Sequence, residues 1–168
     1  MSEHKHENGV CNCKSTVAAQ SLTEMDFDRG IWSAALYNDI ARLKELINRG
    51  HTNNQDESGY TALHYAARNN NITACQLLIE ANANVNAETK GGVTPLQRAA
   101  MMGHLDVVKF LLTHQADVKV QDSDGNTAAH RASQNGHGNI VELLLQSDKN
   151  LEKCLNNRGQ TPLDVNTK

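Results

Sequence analysis

The chain is poor in aromatic residues, in proline and in long apolar runs. Aromatic side chains make up 4% of its 168 residues, and there are only two prolines. A core built around large rings is therefore excluded, and the 39% of hydrophobic residues fits helices built on Ala and Leu. No apolar stretch reaches the ~18 residues that a membrane-spanning helix needs. Neither sign of charge dominates: 16 Lys and Arg stand against 19 Asp and Glu, for a net charge of −3 and a pI near 6.2. Nothing in that balance points to nucleic acid or to an anionic membrane as a partner. Residues 1–14 are polar and do not form a secretory signal. With four cysteines and no convincing pairing among them, the expectation is a reducing compartment, cytoplasm or nucleus.

What is present is a repeat. Gly59, Gly92, Gly125 and Gly159 are spaced by 33, 33 and 34 residues. Each lies two residues before a threonine, which opens Thr61-Ala62-Leu63-His64, Thr94-Pro95-Leu96-Gln97, Thr127-Ala128-Ala129-His130 and Thr161-Pro162-Leu163-Asp164. Both prolines occupy the same place in the period. A fixed period of this length means one structural unit stacked on itself. The glycine suits a tight turn with positive φ. The threonine suits a helix N-cap, and the proline the first helical position, where a missing N–H costs nothing.

A short helix of small and apolar residues is predicted at 63–67, 96–100 and 129–133. Asn70-Asn71, Gly103-His104 and Gly136-His137 interrupt it. A second helix is predicted from apolar residues at helical spacing: Ile72, Cys75, Leu78 and Ile79; Leu105, Val108, Leu111 and Leu112; Ile140, Leu143 and Leu144. Polar links at 82–88 and 115–122 lead to the next glycine. An earlier, degenerate unit is visible at an offset of 32, where Ala34-Ala35, Ile40, Leu46, Ile47 and Gly50 match Ala66-Ala67, Ile72, Leu78, Ile79 and Asn82. It lacks the threonine opening, so Asp26 or Asp28 is expected to cap its first helix and Asp39 its second. A capping box at Ser21-Leu22-Thr23-Glu24 predicts a short helix before it. The chain ends on half a helix pair after Thr161, which reads as a minimal cap or an abrupt end.

In its helix–turn–helix with a β-turn finger, its Thr-Ala-Leu-His opening, Gly103-His104 and Ala83-Asn84-Val85-Asn86, the unit resembles the ankyrin repeat. The resemblance covers about residues 26–165 and recurs in register four times. It departs from the family's pattern where Gln97 and Asp164 replace histidine, where Asn70 replaces glycine, and in an irregular link at 148–154. It implies an all-α solenoid of stacked helix-turn-helix units with β-turn fingers. The domain reading is a polar, disordered tail at 1–22 and a repeat domain at 23–168, with units at about 25–55, 56–88, 89–121, 122–155 and a partial 156–168.

Catalysis needs a convergent cleft with an activated group, and no such set is legible. His64 and His130 read as structural, bonded to backbone or to their threonine. His104 and His137 read as ties to carbonyls of adjacent units. Cys75 reads as a small buried hydrophobe, and Cys154 as half exposed. No cofactor, metal or catalytic residue is expected, and the chain is not read as an enzyme. His4, His6, Cys11 and Cys13 in the tail lack Cys-x2-Cys spacing and hydrophobic neighbours. They read as a disordered polar segment, with zinc or copper binding as the weaker alternative.

The resemblance implies a monomer that binds a protein partner through a concave face lined by fingers and first helices. Carried onto this sequence, the contact residues are Glu57, Tyr60, Arg68 and Asn69; Lys90, Val93, Met101 and Met102; and Asp124, Asn126, Gln134 and Asn135, with Tyr37 extending the row. Met101-Met102 reads either as an adaptable apolar anchor or as one inward and one scattered exposed side chain. The fingers lean acidic through Asp56, Glu57, Glu88, Asp122 and Asp124, which favours a partner with a basic edge. An asparagine at the place of Asn86 is, in that family, a substrate for oxygen-dependent β-hydroxylation, which makes Asn86 a candidate modification site beside a structural role in the turn. The function expected is a non-catalytic adaptor, scaffold or complex subunit. The alternatives are a stoichiometric inhibitor of a kinase or transcription factor, and a metal- or redox-responsive protein acting through the tail.

Overall fold

The computed structural model of the chain describes residues 30–166. Among these, eight α-helices follow one another in pairs and no strand occurs. The pairs are α1 (Ile31–Leu36) with α2 (Ile40–Asn48), α3 (Ala62–Arg68) with α4 (Ile72–Glu80), α5 (Pro95–Met102) with α6 (Leu105–Thr113), and α7 (Ala128–Gln134) with α8 (Gly138–Ser147). Two 3-10 helices follow, at Lys149–Lys153 and Asp164–Asn166. First helices pack on first helices and second on second, giving the all-α stack that the period predicts.

Backbone positions with positive φ recur at three places in the repeat and set the turns. They are Asn38, Asn70, Gly103 and Gly136 between the helices; Gly50, Asn82 and Gln115 after the second helix; and Gly59, Gly92, Gly125 and Gly159 in the finger. Asparagine tolerates this region better than most residues, so Asn70 keeps the turn that glycine makes elsewhere. At Gly59 the demand is steric as well: a Cβ there would lie 2.9 Å from the Lys90 amide nitrogen. That amide donates to Ser58 O at 3.0 Å and ties one finger to the next.

The caps follow the threonines. Thr94 and Thr127 sit in extended backbone, and each hydroxyl accepts from the backbone N–H three residues on, with Gln97 N at 3.3 Å and His130 N at 3.5 Å. Asp39 caps α2 by accepting from Arg42 N at 3.1 Å, as expected. The N-cap of α1 is Gly30, without a side-chain bond. Asp26 and Asp28, the residues expected in that role, lie outside the described residues, as do the tail ligands and the Ser21–Glu24 box.

The core runs unbroken through the stack. Ala34, Ala35, Ala66, Ala67, Ala99, Ala100 and Ala132 let the first helices approach closely, and Leu43, Leu78, Leu111 and Leu144 are fully buried on the second helices. Cys75 is buried among them, and desolvation pushes its thiol up to about 12, which removes it as a nucleophile.

One side chain per unit closes the frame. The Thr61 N–H donates to His64 Nδ1 at 3.1 Å, which leaves the ring proton on Nε2 to donate to Val93 O of the next finger at 2.9 Å. His130 repeats this with Thr127 N at 3.2 Å and Gln160 O at 3.0 Å. Gln97 does the same with an amide: Oε1 accepts from Thr94 N at 3.0 Å, and Nε2 donates to Asn126 O at 3.0 Å and Val120 O at 2.9 Å. The replacement of histidine by Gln97 therefore preserves the bond.

Two predictions follow from burial. Leu111→Ala should cost about 2–5 kcal/mol in denaturant unfolding, whereas Glu80→Ala on the exposed side of a second helix should cost under about 0.5; equal costs would refute the packing register. Burial lowers His64 from 6.5 to about 4, against weaker opposing effects of the Val93 carbonyl and the Asp56 charge. The unfolded chain then binds more protons than the folded one between those values. Stability is whole above pH 6.5 and falls as pH drops through 4, by up to about 3 kcal/mol from this group. His130 is shifted in the same direction by burial. His64→Gln should keep the fold, as Gln97 does, and flatten that part of a stability–pH curve measured by denaturant unfolding.

Candidate functional site

The surface made by the finger tips and the exposed ends of the first helices is framed by backbone-directed side chains. Each finger is closed by the residue that starts it. Asp56 Oδ1 accepts from Ser58 N at 2.8 Å and Tyr60 N at 2.9 Å; Asp122 Oδ1 from Asp124 N at 3.0 Å and Asn126 N at 2.9 Å; Asn156 Oδ1 from Arg158 N at 2.9 Å and Gln160 N at 3.0 Å. In the finger of the third unit the residue is Thr89, whose hydroxyl accepts from Val93 N at 3.1 Å.

Two of these carboxylates have a second oxygen, and it is spent inside the unit. Asp56 Oδ2 accepts from the Tyr65 hydroxyl at 2.7 Å. Burial and that bond raise the tyrosine's pKa. Asp122 Oδ2 binds Arg131 through Nε at 2.7 Å and Nη2 at 2.5 Å, with the aspartate side chain fully buried. Arg131 also meets Asp124 at 3.0 Å and Gln134 at 3.2 Å. The acidic lean of the fingers is thus corrected. Asp56 and Asp122 are structural, and Asp124 is exposed but paired with Arg131, so Glu57 and Glu88 are left as the exposed acids of that set outside an ion pair. The case for a basic partner edge falls with it.

The residues expected to meet a partner are placed as follows. Tyr37 is 75% exposed at the end of α1, and Met102 is 42% exposed at the end of α5. Glu57, Arg68, Lys90, Asp124, Gln134 and Asn135 are exposed, and Tyr60, Val93 and Met101 are half-buried. The two methionines divide, Met102 outward and Met101 partly covered. Asn69 is exposed, yet its amide donates to Leu36 O at 3.0 Å and holds two units together. Asn126 is buried at 3% exposure and holds Gln134 and Asn156 through its Oδ1, so it supports the surface from beneath. His104 donates to Arg68 O at 2.8 Å and His137 to Met101 O at 3.1 Å, the inter-unit ties expected of both. Asn86 is exposed on the link, where its Oδ1 accepts from Asp117 N at 2.8 Å and bridges to the next unit.

Sequence reasoning missed Arg98 and Arg131. They sit in register with Tyr65, one unit apart each, but they lie inside predicted helices rather than beside the finger glycine. Arg98 hydrogen-bonds the Tyr60 hydroxyl and lies 4.7 Å from the centre of that ring. With Tyr60, His64, Tyr65 and Arg68 it lines a cavity of about 130 Å³. A larger groove of about 510 Å³ lies at the C-terminal end of the stack, lined by Val141, Leu145 and Leu163 among others. Among the described residues no cluster of three or more His, Cys, Asp and Glu could hold a metal ion. No described helix is long and apolar enough to cross a membrane.

A family model described as "Ankyrin repeats (3 copies)" matches residues 31–122 and 114–166. The chain is 53% identical over 70 residues to ankyrin repeat domain-containing protein 39 of Homo sapiens, across 41% of this chain and 38% of that protein. It is 54% identical over 67 residues to the protein of the same name from Bos taurus, across 37% of this chain and 36% of that one. The chain thus spans well under two thirds of the length of the curated relatives it matches.

The Asp122–Arg131 pair yields a prediction. Asp122→Ala removes both the turn acceptor and the carboxylate, and should cost at least about 3 kcal/mol. Asp122→Asn keeps the turn, as Asn156 does in the last finger, and should cost about 1–2 kcal/mol. Denaturant unfolding of both variants decides; an Asp122→Asn variant as stable as wild type would mean that the ion pair contributes nothing, and equal costs for the two variants that the turn acceptor does not.

Proposed function

The chain belongs to the ankyrin repeat family, and on that premise we propose that it is a non-catalytic interaction module that holds a protein partner on its finger-and-first-helix face. It acts there as an adaptor, scaffold or complex subunit. The observation that carries this is a division of labour along the face. His64, His104, His130, His137, Asn69, Gln97 and Asn126 are spent on holding units together, and Asp56 and Asp122 on closing their own unit. Tyr37, Glu57, Arg68, Lys90 and Met102 are left exposed on the fingers and first-helix ends of three units. Rigid support under a set of mixed aromatic, apolar and charged side chains is what protein recognition requires, since little ordering entropy is then lost on binding. The aromatic, methionine and arginine side chains are the types enriched at such contacts. The buried, unreactive Cys75 fits a reducing compartment, and the chain is assigned to the cytoplasm or nucleus as a monomer.

Affinity capture with quantitative mass spectrometry tests the reading. The variant Tyr37→Ala/Lys90→Glu/Met102→Glu changes exposed positions only and leaves Tyr60 and Asp124, which hold Arg98 and Arg131, untouched. Its partners should be lost or weakened at least about tenfold, which is about 1.4 kcal/mol. Capture identical to wild type would remove the face from consideration. If a lost partner is a kinase or transcription factor, its activity with and without one equivalent of this chain separates an adaptor from an inhibitor.

A further inference from the structure

Arg98 is out of balance with its counterparts. At the same register, Tyr65 and Arg131 each bond the second carboxylate oxygen of their own finger's first residue, Asp56 and Asp122. In the third unit that residue is Thr89, whose single hydroxyl oxygen already serves Val93 N. Among the described residues Arg98 therefore has no carboxylate, and its Nε is buried without a hydrogen-bond partner. The guanidinium instead leans on Tyr60, over the ring and against its hydroxyl. Burial and the nearby charge of Arg131 both disfavour its charged form, with no acid acting in the other direction. A second cation, Arg68, lines the same cavity of about 130 Å³.

We propose that this cavity is an anion-recognition site that takes the carboxylate of an Asp or Glu side chain of a protein partner, with Arg98 as its primary ligand and Arg68 and Tyr60 at its rim. It supplies from outside the acid that Thr89 withholds. The neighbouring unit points to the ligand class: there one oxygen of the Asp122 carboxylate, Oδ2, meets both Nε and Nη2 of Arg131 at 2.7 and 2.5 Å. A planar two-donor fork of this kind matches a carboxylate. The site rests on the reading of this face as an interaction surface and narrows the partner to one presenting an acidic residue at the third unit.

The chain itself offers the controls, because both residue types tested occupy this finger position elsewhere. Thr89→Asp reproduces Asp56 and Asp122 and should fill the site from within. Thr89→Asn reproduces Asn156, whose Oδ1 is used by the turn. Its remaining atom is a donor, so it cannot satisfy Arg98. The measurement is the ¹H–¹⁵N signal of the Arg98 side-chain Nε–H, identified by its loss in Arg98→Lys, during titration with sodium acetate against sodium chloride at equal ionic strength. The expected result is a saturable shift with acetate that chloride does not produce, retained in Thr89→Asn and abolished in Thr89→Asp. No acetate response in the wild type, or an unchanged response in Thr89→Asp, overturns the proposal. A stronger response to inorganic phosphate than to acetate also overturns it, by assigning the site to a phosphate. With a partner in hand, Thr89→Asp should raise its Kd at least about tenfold. Loss of that partner from the Tyr37/Lys90/Met102 variant with unchanged binding to Thr89→Asp would keep the face and dismiss the carboxylate site. Binding unaffected by either variant would dismiss both.

Discussion

The stack depends on one repeated hydrogen bond: a buried side chain at the third position of α3, α5 and α7 donating to a backbone carbonyl of the following finger. His64 reaches Val93, Gln97 reaches Asn126 and His130 reaches Gln160. In each case the other side-chain atom accepts from the N-cap backbone, so one group satisfies two buried backbone partners that helix ends and turns otherwise leave open. Because the bond always points to the next unit, each of these three units is completed by its successor. The last one differs accordingly. Asp164 accepts from Thr161 N at 2.9 Å and from its hydroxyl at 2.7 Å. A carboxylate can only accept, so the cap is kept where no following finger asks for a donor among the described residues. Histidine, glutamine and aspartate at one register thus express the same requirement under different boundary conditions.

Much of this was legible from the chain itself. The glycine spacing, the threonine openings and the apolar periodicity located the helix pairs, and Asn70, Gln97 and Asp164 looked like departures from the pattern only as letters. Seen as donors, acceptors and permitted φ values, Asn70 and Gln97 perform the work of the residues they replace, and Asp164 keeps the cap half of it. The binding face was less legible. Position relative to the finger glycine predicts where a backbone lies, but exposure depends on what the side chain is bonded to. Asn126 and Asp124 have the same kind of address, yet Asn126 is buried under its neighbours and Asp124 is on the surface. The pairings that decided this run from a finger to a helix nine residues on, as with Asp56 to Tyr65 and Asp122 to Arg131. No local motif carries a contact at that distance.

The irregular link shows the same logic at the end of the array. The spacing of 34 rather than 33 between Gly125 and Gly159 accommodates Asp148 in extended backbone, and a 3-10 helix follows it. Asp148 accepts from Asn150 N at 2.9 Å and pairs with Lys119 at 2.9 Å, so the extra length is anchored back to the preceding link. Leu151 is then fully buried where the last helix pair would otherwise lose its cover. Beyond it, Leu155 and Leu163 are each 55% exposed.

Frame and recognition compete for the same side chains, and the third unit resolves that competition differently from its neighbours. A carboxylate at the start of a finger performs two tasks, closing the turn and neutralising or holding the residue nine positions on. A hydroxyl performs only the first. Thr89 keeps the finger shut, since a turn needs a single acceptor, but it transfers the second task to whatever approaches Arg98. The cost is a half-buried cation held by a tyrosine ring and hydroxyl, a weaker support than a buried carboxylate. That cost is local, because the inter-unit bonds of Gln97 are unaffected. A stack whose units are completed by their neighbours can tolerate one such imbalance without losing its register, and the imbalance falls on the face where the exposed side chains lie.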